Sequence, residues 1–280
     1  MGKMVRIPEC EVLVRELGFG KPPCGACVAD RFFSFWHRRK YDKKRPAGCW
    51  VAHAALTLLE CLRLRPRLEG ALRRLKIPWS DIEVLAILHD AGKLTECYAK
   101  GIPGHSVFSM VIVANICGYR SRLARAAFLH HEAFHWARVA KRGLEHIADA
   151  ISSNQSKIAS NGFNLRKGHD EAVECLKALL HSAGLRQMDD ILDELSSRRK
   201  YSLNCKPDEL ISYIDAKDIA MYWILYLADN RAASARDGPK GYWLYRIREI
   251  MSSHQDPLDL TDKLLNEYPR PNIALTALQV

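Results

Sequence analysis

Apolar residues recur at helical spacing through most of this chain, and segments rich in β-branched residues are short. The apolar positions from Val51 to Leu62 repeat three and four residues apart, which predicts a helix over 48–63. The segment SDIE at 80–83 has the pattern of a capping box and predicts the start of the next helix. Further helices are predicted over 105–117, about 121–140, 144–160, roughly 170–198 and 216–234. The pattern therefore predicts an all-α fold.

The breaks in this pattern predict three parts. Residues 1–46 contain paired prolines, a basic run and Pro46, a mixture that predicts an irregular, Cys-containing N-terminal arm. Residues 47–240 form the predicted main domain, with a helical insertion over about 160–215, and 241–280 are predicted to be short helices and a tail. A length of 280 residues suits one large domain with such additions.

The chain contains no run of about 18 uncharged apolar residues, so no membrane span is expected. Its first residues, MGKMVRIPEC, lack the apolar stretch of a signal peptide, which favours a cytoplasmic protein.

The formal net charge of +10 is concentrated in two segments. Residues 37–45 hold six Lys or Arg, and 61–76 hold six more. Such clusters suit a polyanion such as nucleic acid, and a solvated basic face is the alternative. Trp36, Tyr41 and Trp50 lie among them and could stack on bases or pack inside the protein.

Nine cysteines are scattered along the chain. Cys24-Gly-Ala-Cys27 has the spacing of a zinc knuckle, but only Cys10 and Cys49 lie nearby in sequence to complete a tetrahedral site. Because the chain is too large for a small disulfide scaffold, reduced thiols are the expected state, with a structural zinc or a disulfide as the alternatives.

Imidazole and carboxylate side chains interrupt segments that are otherwise apolar. A charged side chain in such a place needs a partner, and these ligand types hold borderline divalent metals. The candidate metal ligands are His53, His89, Asp90, His105, His130, His131 and Asp229. They are numerous enough for two ions, and their nitrogen content favours Mn, Ni, Co or Fe over Mg.

Three assignments near these ligands stay open on sequence alone. Asp229 interrupts the most apolar helix, but Asp149 has a similar local sequence and is its rival as the last ligand. Lys93 could hold a phosphate or balance a carboxylate. Ser109, one turn after His105, could bond back to its own helix or line the pocket.

The order His…His-Asp…His…His-His…Asp on successive helices resembles the HD superfamily of metal-dependent phosphohydrolases. Within that superfamily, the LHDAGK segment, the His105-x-x-x-Ser109 spacing and the His-His doublet look like the HD nuclease of type I CRISPR interference systems. The resemblance covers about residues 48–235 and implies a helical HD fold with a two-metal site that cuts single-stranded DNA.

The resemblance also implies roles for single residues. One ion would be held by His53, His89, Asp90 and Asp229, and the second by Asp90, as a bridge, with His105, His130 and His131. Asp90, Lys93 and Ser109 are the expected catalytic residues, the latter two as supports or phosphate contacts. Two ions about 3.5–4 Å apart would clamp the scissile phosphate.

Many relatives carry this nuclease fused to a helicase, whereas this chain has no Walker-type GxxxxGK[ST] segment. The resemblance therefore implies a stand-alone nuclease subunit that works with a separate CRISPR helicase and a crRNA-guided surveillance complex. The alternatives are an HD-family phosphohydrolase acting on a nucleotide or cyclic nucleotide, and a non-enzymatic helical scaffold. The additional motifs and the basic charge favour the nuclease.

Overall fold

Helices make up most of the described structure, a computed structural model that covers residues 8–16, 24, 32–35, 48–100, 102, 104–118, 121–130, 162–202 and 214–237. The α-helices are α1 (Pro8–Glu16), α2 (Trp50–Arg74), α3 (Trp79–Leu88), α4 (Glu96–Ala99), α5 (His105–Cys117), α6 (Arg122–Leu129), α7 (His169–Ser182), α8 (Asp189–Ser197) and α9 (Ala216–Asp237), and a 3-10 helix spans Ala91–Leu94. Two short antiparallel ladders join β1 (Phe33–Phe35) to β2 (Gly48–Cys49) and β3 (Phe163–Asn164) to β4 (Lys200–Tyr201). The predicted all-α fold is confirmed.

The long helix α2 is the centre of the packing and contacts α1, α3, α7 and α9. Nearly every side chain from Trp50 to Leu64 is buried, because neighbouring helices cover several of its faces. The helix extends past the predicted end at residue 63 and contains Pro66, since the apolar pattern continues to the buried Leu72. It closes where Lys76 adopts a left-handed φ of 56° and the Ile77 N–H donates to the Leu72 carbonyl over 2.9 Å.

The capping box predicted at 80–83 is wrong, although the helix itself is present. Helix α3 begins at Trp79 after Pro78, and no side chain caps its first turn. Glu83, the expected reciprocal cap, is buried and lies 3.6 Å from the Arg65 guanidinium of α2. A tertiary contact therefore replaces the local one.

Helix α9 is the core helix that the apolar pattern predicts, and it packs against α1, α2, α3 and α6. Its buried Asp218 accepts two hydrogen bonds from Arg125 of α6, at 2.8 and 3.1 Å. Such a buried, bidentate pair fixes how the two helices lie against each other.

The N-terminal arm contains regular structure that the sequence pattern did not predict. Helix α1 packs against α2 and α9, and its Leu13 is buried in the core. Cys24 forms a disulfide with Cys175 of α7, so the expectation of a reduced thiol is wrong for this residue. Cys27 lies outside the described residues. Spacing could not reveal a partner that is 151 residues away.

The predicted insertion contributes α7, α8 and the β3–β4 ladder. Helix α8 packs on α7 and α5, and the Arg166 N–H donates to the Leu94 carbonyl over 2.9 Å. The insertion therefore contacts the turn that follows Asp90. In the described part of the chain, no helix is long and apolar enough to cross a membrane. The predicted helix over 144–160 and the 241–280 tail lie outside the described residues.

Candidate metal centre

Six of the seven candidate ligands come together from five separate parts of the chain. His53 lies on α2, the His89-Asp90 doublet ends α3, His105 begins α5, His130 follows α6 and Asp229 lies on α9. They form two groups, one of His53, His89 and Asp229 and one of Asp90, His105 and His130. Within each group the potential ligand atoms lie within 4.8 Å of one another, so each group could hold a metal ion. His131 lies outside the described residues.

The Asp90 carboxylate belongs to the second group but also faces the first, and it turns one oxygen toward the histidines of each. Its Oδ2 is 3.5 Å from His53 Nε2 and 3.6 Å from His89 Nε2. Its Oδ1 is 3.3 Å from His105 Nε2 and 3.4 Å from His130 Nε2. This is the arrangement in which one carboxylate can bridge two ions.

Asp229 completes the first group. Its Oδ1 lies 2.8 Å from His53 Nε2 and 3.6 Å from His89 Nε2. The structure thus places Asp229 among the histidines, while its rival Asp149 lies outside the described residues.

The chemistry of the cluster fits a divalent cation. Among the described residues, His89 Nε2 and Asp90 Oδ1 are buried without a hydrogen bond of normal geometry. Buried polar atoms without partners are costly, and one cation in each group would satisfy them. Imidazole nitrogen and carboxylate oxygen are also the donors that zinc-like and manganese-like ions accept.

Backbone carbonyls orient two of the histidines. His89 Nδ1 contacts the Ala86 carbonyl at 2.8 Å, and His130 Nδ1 contacts the Ala127 carbonyl at 2.5 Å. Both carbonyls lie in the last turn of a helix, where a carbonyl has no backbone N–H four residues later to accept from. An Nδ1–H that donates to a carbonyl leaves Nε2 as the ligand atom, and in both residues Nε2 faces Asp90.

Close packing of the 3-10 helix against α5 holds the turn that carries Asp90. The Gly92 N–H donates to Ser109 Oγ over 2.9 Å, and a Cβ added at Gly92 would lie 2.1 Å from the His105 carbonyl oxygen. Trp50 Nε1–H donates to the Asp90 carbonyl over 3.1 Å. The glycine of the LHDAGK segment is therefore required by space, since no larger residue fits there.

The packing decides between the roles that the sequence left open for Ser109 and Trp50. Ser109 is fully buried, and its hydroxyl supports the Asp90 turn instead of lining an open pocket. Trp50 is also fully buried, so it cannot stack on a base and the packing alternative holds for it. Trp36 and Tyr41 lie outside the described residues.

Both carboxylates of the centre are held ionised. Burial alone would raise the pKa of Asp90, but the Lys93 ammonium in contact with its Oδ2, and then His89, hold that pKa well below its usual range. Burial also acts to raise the pKa of Asp229, and the hydrogen bonds and charges of His53 and His89 lower it further than burial raises it. Lys93 therefore balances the Asp90 carboxylate, one of the two roles that its position suggested.

The pKa values of His53 and His105 are shifted in opposite directions. Burial disfavours the charged form of His53, yet the Asp229 and Glu9 carboxylates outweigh it and raise its pKa to about 9. Burial and the Lys93 charge lower the pKa of His105 to about 4, against a smaller opposing effect of Asp90. At neutral pH, His105 is ready to bind a cation, whereas a cation must displace a proton from His53.

Two side chains of the centre are partly exposed to solvent. The side chains of His105 and Asp229 are 18% and 14% exposed, whereas those of His53, His89, Asp90 and His130 are at most 3% exposed. The centre is therefore accessible to solvent at His105 and Asp229.

Sequence reasoning missed Glu9, a fully buried carboxylate of α1. Its Oε1 lies 3.4 Å from His53 Nδ1, on the side of the ring opposite the cluster, and its Oε2 accepts the Cys49 N–H over 2.7 Å. The sequence contains one related signal, because Glu9 and Glu11 are acidic residues of the kind that favour the first turn of a helix. Nothing in the sequence indicates that this turn lies beside His53.

The basic segments are only partly described. Residues 37–45 lie outside the described residues. In the second segment, Arg63 pairs with Glu60 and Arg65 with Glu69, whereas Arg73 and Lys76 are exposed and line a cavity of about 630 Å³ at the end of α2. Arg73 lies twenty residues after His53, which is about 30 Å along a helix.

No protein-family model, curated protein or solved structure matches this chain. A functional assignment therefore depends on the geometry and charge of the metal centre.

Proposed function

We propose that this protein is a metal-dependent phosphodiesterase of the HD superfamily that cuts single-stranded DNA with two divalent ions. The observation that carries the proposal is the Asp90 carboxylate, which turns one oxygen toward each of two adjacent histidine groups. Helices packed for stability alone have little reason to gather four imidazoles, three of them buried, around one buried carboxylate, because each polar atom buried without a partner costs free energy.

The chain supplies the ligands and controls their charge. One ion would be held by His53, His89 and Asp229, and the other by His105 and His130, with Asp90 between them. Bound ions would polarise the phosphate and activate a water molecule, so a side-chain nucleophile is not required. Lys93 balances the Asp90 charge, and the partly exposed His105 stays neutral at working pH.

Charge supports a polynucleotide over a single nucleotide. The net charge is +10, and the exposed Arg73 and Lys76 lie at the far end of the helix that carries His53. A separation of about 30 Å is too long for one nucleotide, but a strand of several nucleotides could contact both places. We further propose, from the motif resemblance, that the protein acts in CRISPR interference with a separate helicase and a crRNA-guided complex.

Nuclease assays with defined metals test the proposal. Metal-free protein is incubated with end-labelled single-stranded DNA and added Mn, Ni, Co, Fe or Mg. We expect cleavage with one or more of the first four ions, weaker cleavage with Mg, and loss of cleavage with a chelator. His89→Ala and Asp90→Ala should abolish it.

The matched control is His181→Ala. His181 lies on α7 and contacts Asp189 at 2.6 Å, outside the metal centre, so its replacement should leave cleavage unchanged. Equal cleavage by the wild-type and Asp90→Ala proteins would refute the proposal. Hydrolysis of mononucleotides or cyclic nucleotides without cleavage of oligomers would favour the smaller-substrate phosphohydrolase.

A further inference from the structure

We infer that Glu9 is a positioning residue for His53, and that helix α1 is therefore a functional part of the metal centre. This inference rests on the proposed two-ion centre. The Glu9 carboxylate would hold the Nδ1 side of the ring, so that Nε2 faces the ion shared with His89 and Asp229.

The burial of Glu9 requires an explanation. The residue is fully buried, and an ionised carboxylate in that environment is costly unless charge and hydrogen bonds compensate it. One oxygen accepts the Cys49 N–H over 2.7 Å, and the other lies 3.4 Å from His53 Nδ1. The carboxylate is thus oriented by the backbone on one side and faces the imidazole on the other.

A comparison with the other ligands shows what Glu9 supplies. His89 and His130 lie at helix ends and use a backbone carbonyl three residues earlier to hold Nδ1. His53 lies inside α2, where the carbonyls of the preceding turn accept helix hydrogen bonds. An acceptor for its Nδ1–H has to come from outside the helix, and Glu9 is placed to provide it.

A carboxylate in this position does more than a carbonyl would. It fixes the tautomer and the ring orientation, and its charge makes the opposite nitrogen a stronger ligand. Loss of such a partner typically weakens metal binding by about 10–100-fold. Helix α1 packs on both α2, which carries His53, and α9, which carries Asp229.

Metal titration of Glu9→Gln tests this role. Glutamine keeps the shape but has only one side-chain oxygen, so it cannot accept from both Cys49 N–H and His53 Nδ1–H. Metal-free protein is titrated with Co²⁺ and followed by calorimetry and visible absorption. We expect one of two ions to bind about 10–100-fold more weakly while the other is unchanged. Glu11→Gln, on the same helix but exposed, should bind both ions as the wild type does.

Imidazole NMR separates positioning from general destabilisation, because a purely structural role of Glu9 would not change the signals of His53 alone. In zinc-loaded protein, long-range proton–nitrogen spectra should show altered His53 signals in Glu9→Gln and unchanged signals for His89 and His130. Equal weakening of both ions together with a lower urea midpoint would overturn positioning in favour of general destabilisation. If Glu9→Gln does not fold, Glu9→Asp takes its place, and unchanged affinity in that variant also overturns the inference.

The two proposals fail in different ways. Wild-type protein that binds no Co²⁺ would remove the metal centre and the role of Glu9 with it. If the wild-type protein binds two ions, and Glu9→Gln binds both equally well with unchanged His53 signals, then only the proposed role of Glu9 is refuted.

Discussion

Replacement of Gly92 with alanine should damage the metal centre although no ligand changes. Gly92 lies in the 3-10 helix that follows Asp90, packed against the start of α5. A Cβ there would lie 2.1 Å from the His105 carbonyl oxygen and 2.8 Å from the Ser109 backbone nitrogen. Both are backbone atoms, so neither can move aside as a flexible side chain could.

The expected loss of stability follows from these contacts. Overpacking of a closed site costs about 1–3 kcal/mol. Loss of the hydrogen bond from Gly92 N–H to Ser109 Oγ would cost about 1 kcal/mol more. Normal contact would require the two backbones to separate by about 1 Å, since unbonded atoms of this kind pack well beyond 3 Å. Because His105 begins α5, that shift moves a ligand away from Asp90, and metal affinity should fall at least about tenfold.

Urea unfolding of metal-free protein and Co²⁺ titration measure the two effects. The matched control is Gly70→Ala in α2, where nothing lies within 4 Å of the added Cβ. Alanine inside a helix is more stable than glycine by about 0.5–1 kcal/mol, so this control should raise the unfolding free energy. A Gly92→Ala protein that unfolds at the wild-type urea concentration and binds both ions with wild-type affinity would contradict this expectation.

Three further outcomes are expected. Ser109→Ala should lower the unfolding free energy by about 1–3 kcal/mol, because a buried N–H loses its acceptor, while kcat at saturating metal stays near the wild-type value. Arg125→Ala should cost about 1–3 kcal/mol in urea unfolding, because the buried Asp218 carboxylate loses its bidentate partner and keeps the Arg122 guanidinium, 3.3 Å away. In metal-free protein, the stabilisation from His53 is complete below pH 6.5 and is lost as pH rises toward about 9. The stabilisation from His105 is complete above pH 6.5 and is lost as pH falls toward about 4, so the urea midpoint should peak near pH 6.5.

Each of these outcomes has a control or a result that would contradict it. A large fall in kcat for Ser109→Ala at saturating metal would instead give the hydroxyl a role on the substrate. Lys177→Ala removes an ion pair with the exposed Asp193 and should leave the urea midpoint nearly unchanged. His53→Gln should remove the loss of stability above pH 6.5, and a persistent loss would assign it to another group.

Local periodicity predicted the helices where the pattern was strong. The predicted helix over 105–117 is α5, His105–Cys117, and the predicted core helix over 216–234 is most of α9. Prediction failed where a local sequence pattern, the capping box, competed with a contact between helices. The capping box at 80–83 is absent because α3 begins at Trp79, which puts Ser80 inside the helix, and Glu83 instead contacts residues outside the helix, Arg65 among them.

Periodicity and residue chemistry are local properties, so the amino-acid pattern alone shows that this protein is helical and that imidazoles and carboxylates interrupt its apolar segments. Three contacts came to light only in the folded protein: Asp90 turns one oxygen to each histidine group, Cys24 joins Cys175 and Glu9 lies behind His53. Those contacts join segments far apart in sequence, and which of them meet depends on how the helices bury their apolar faces against one another.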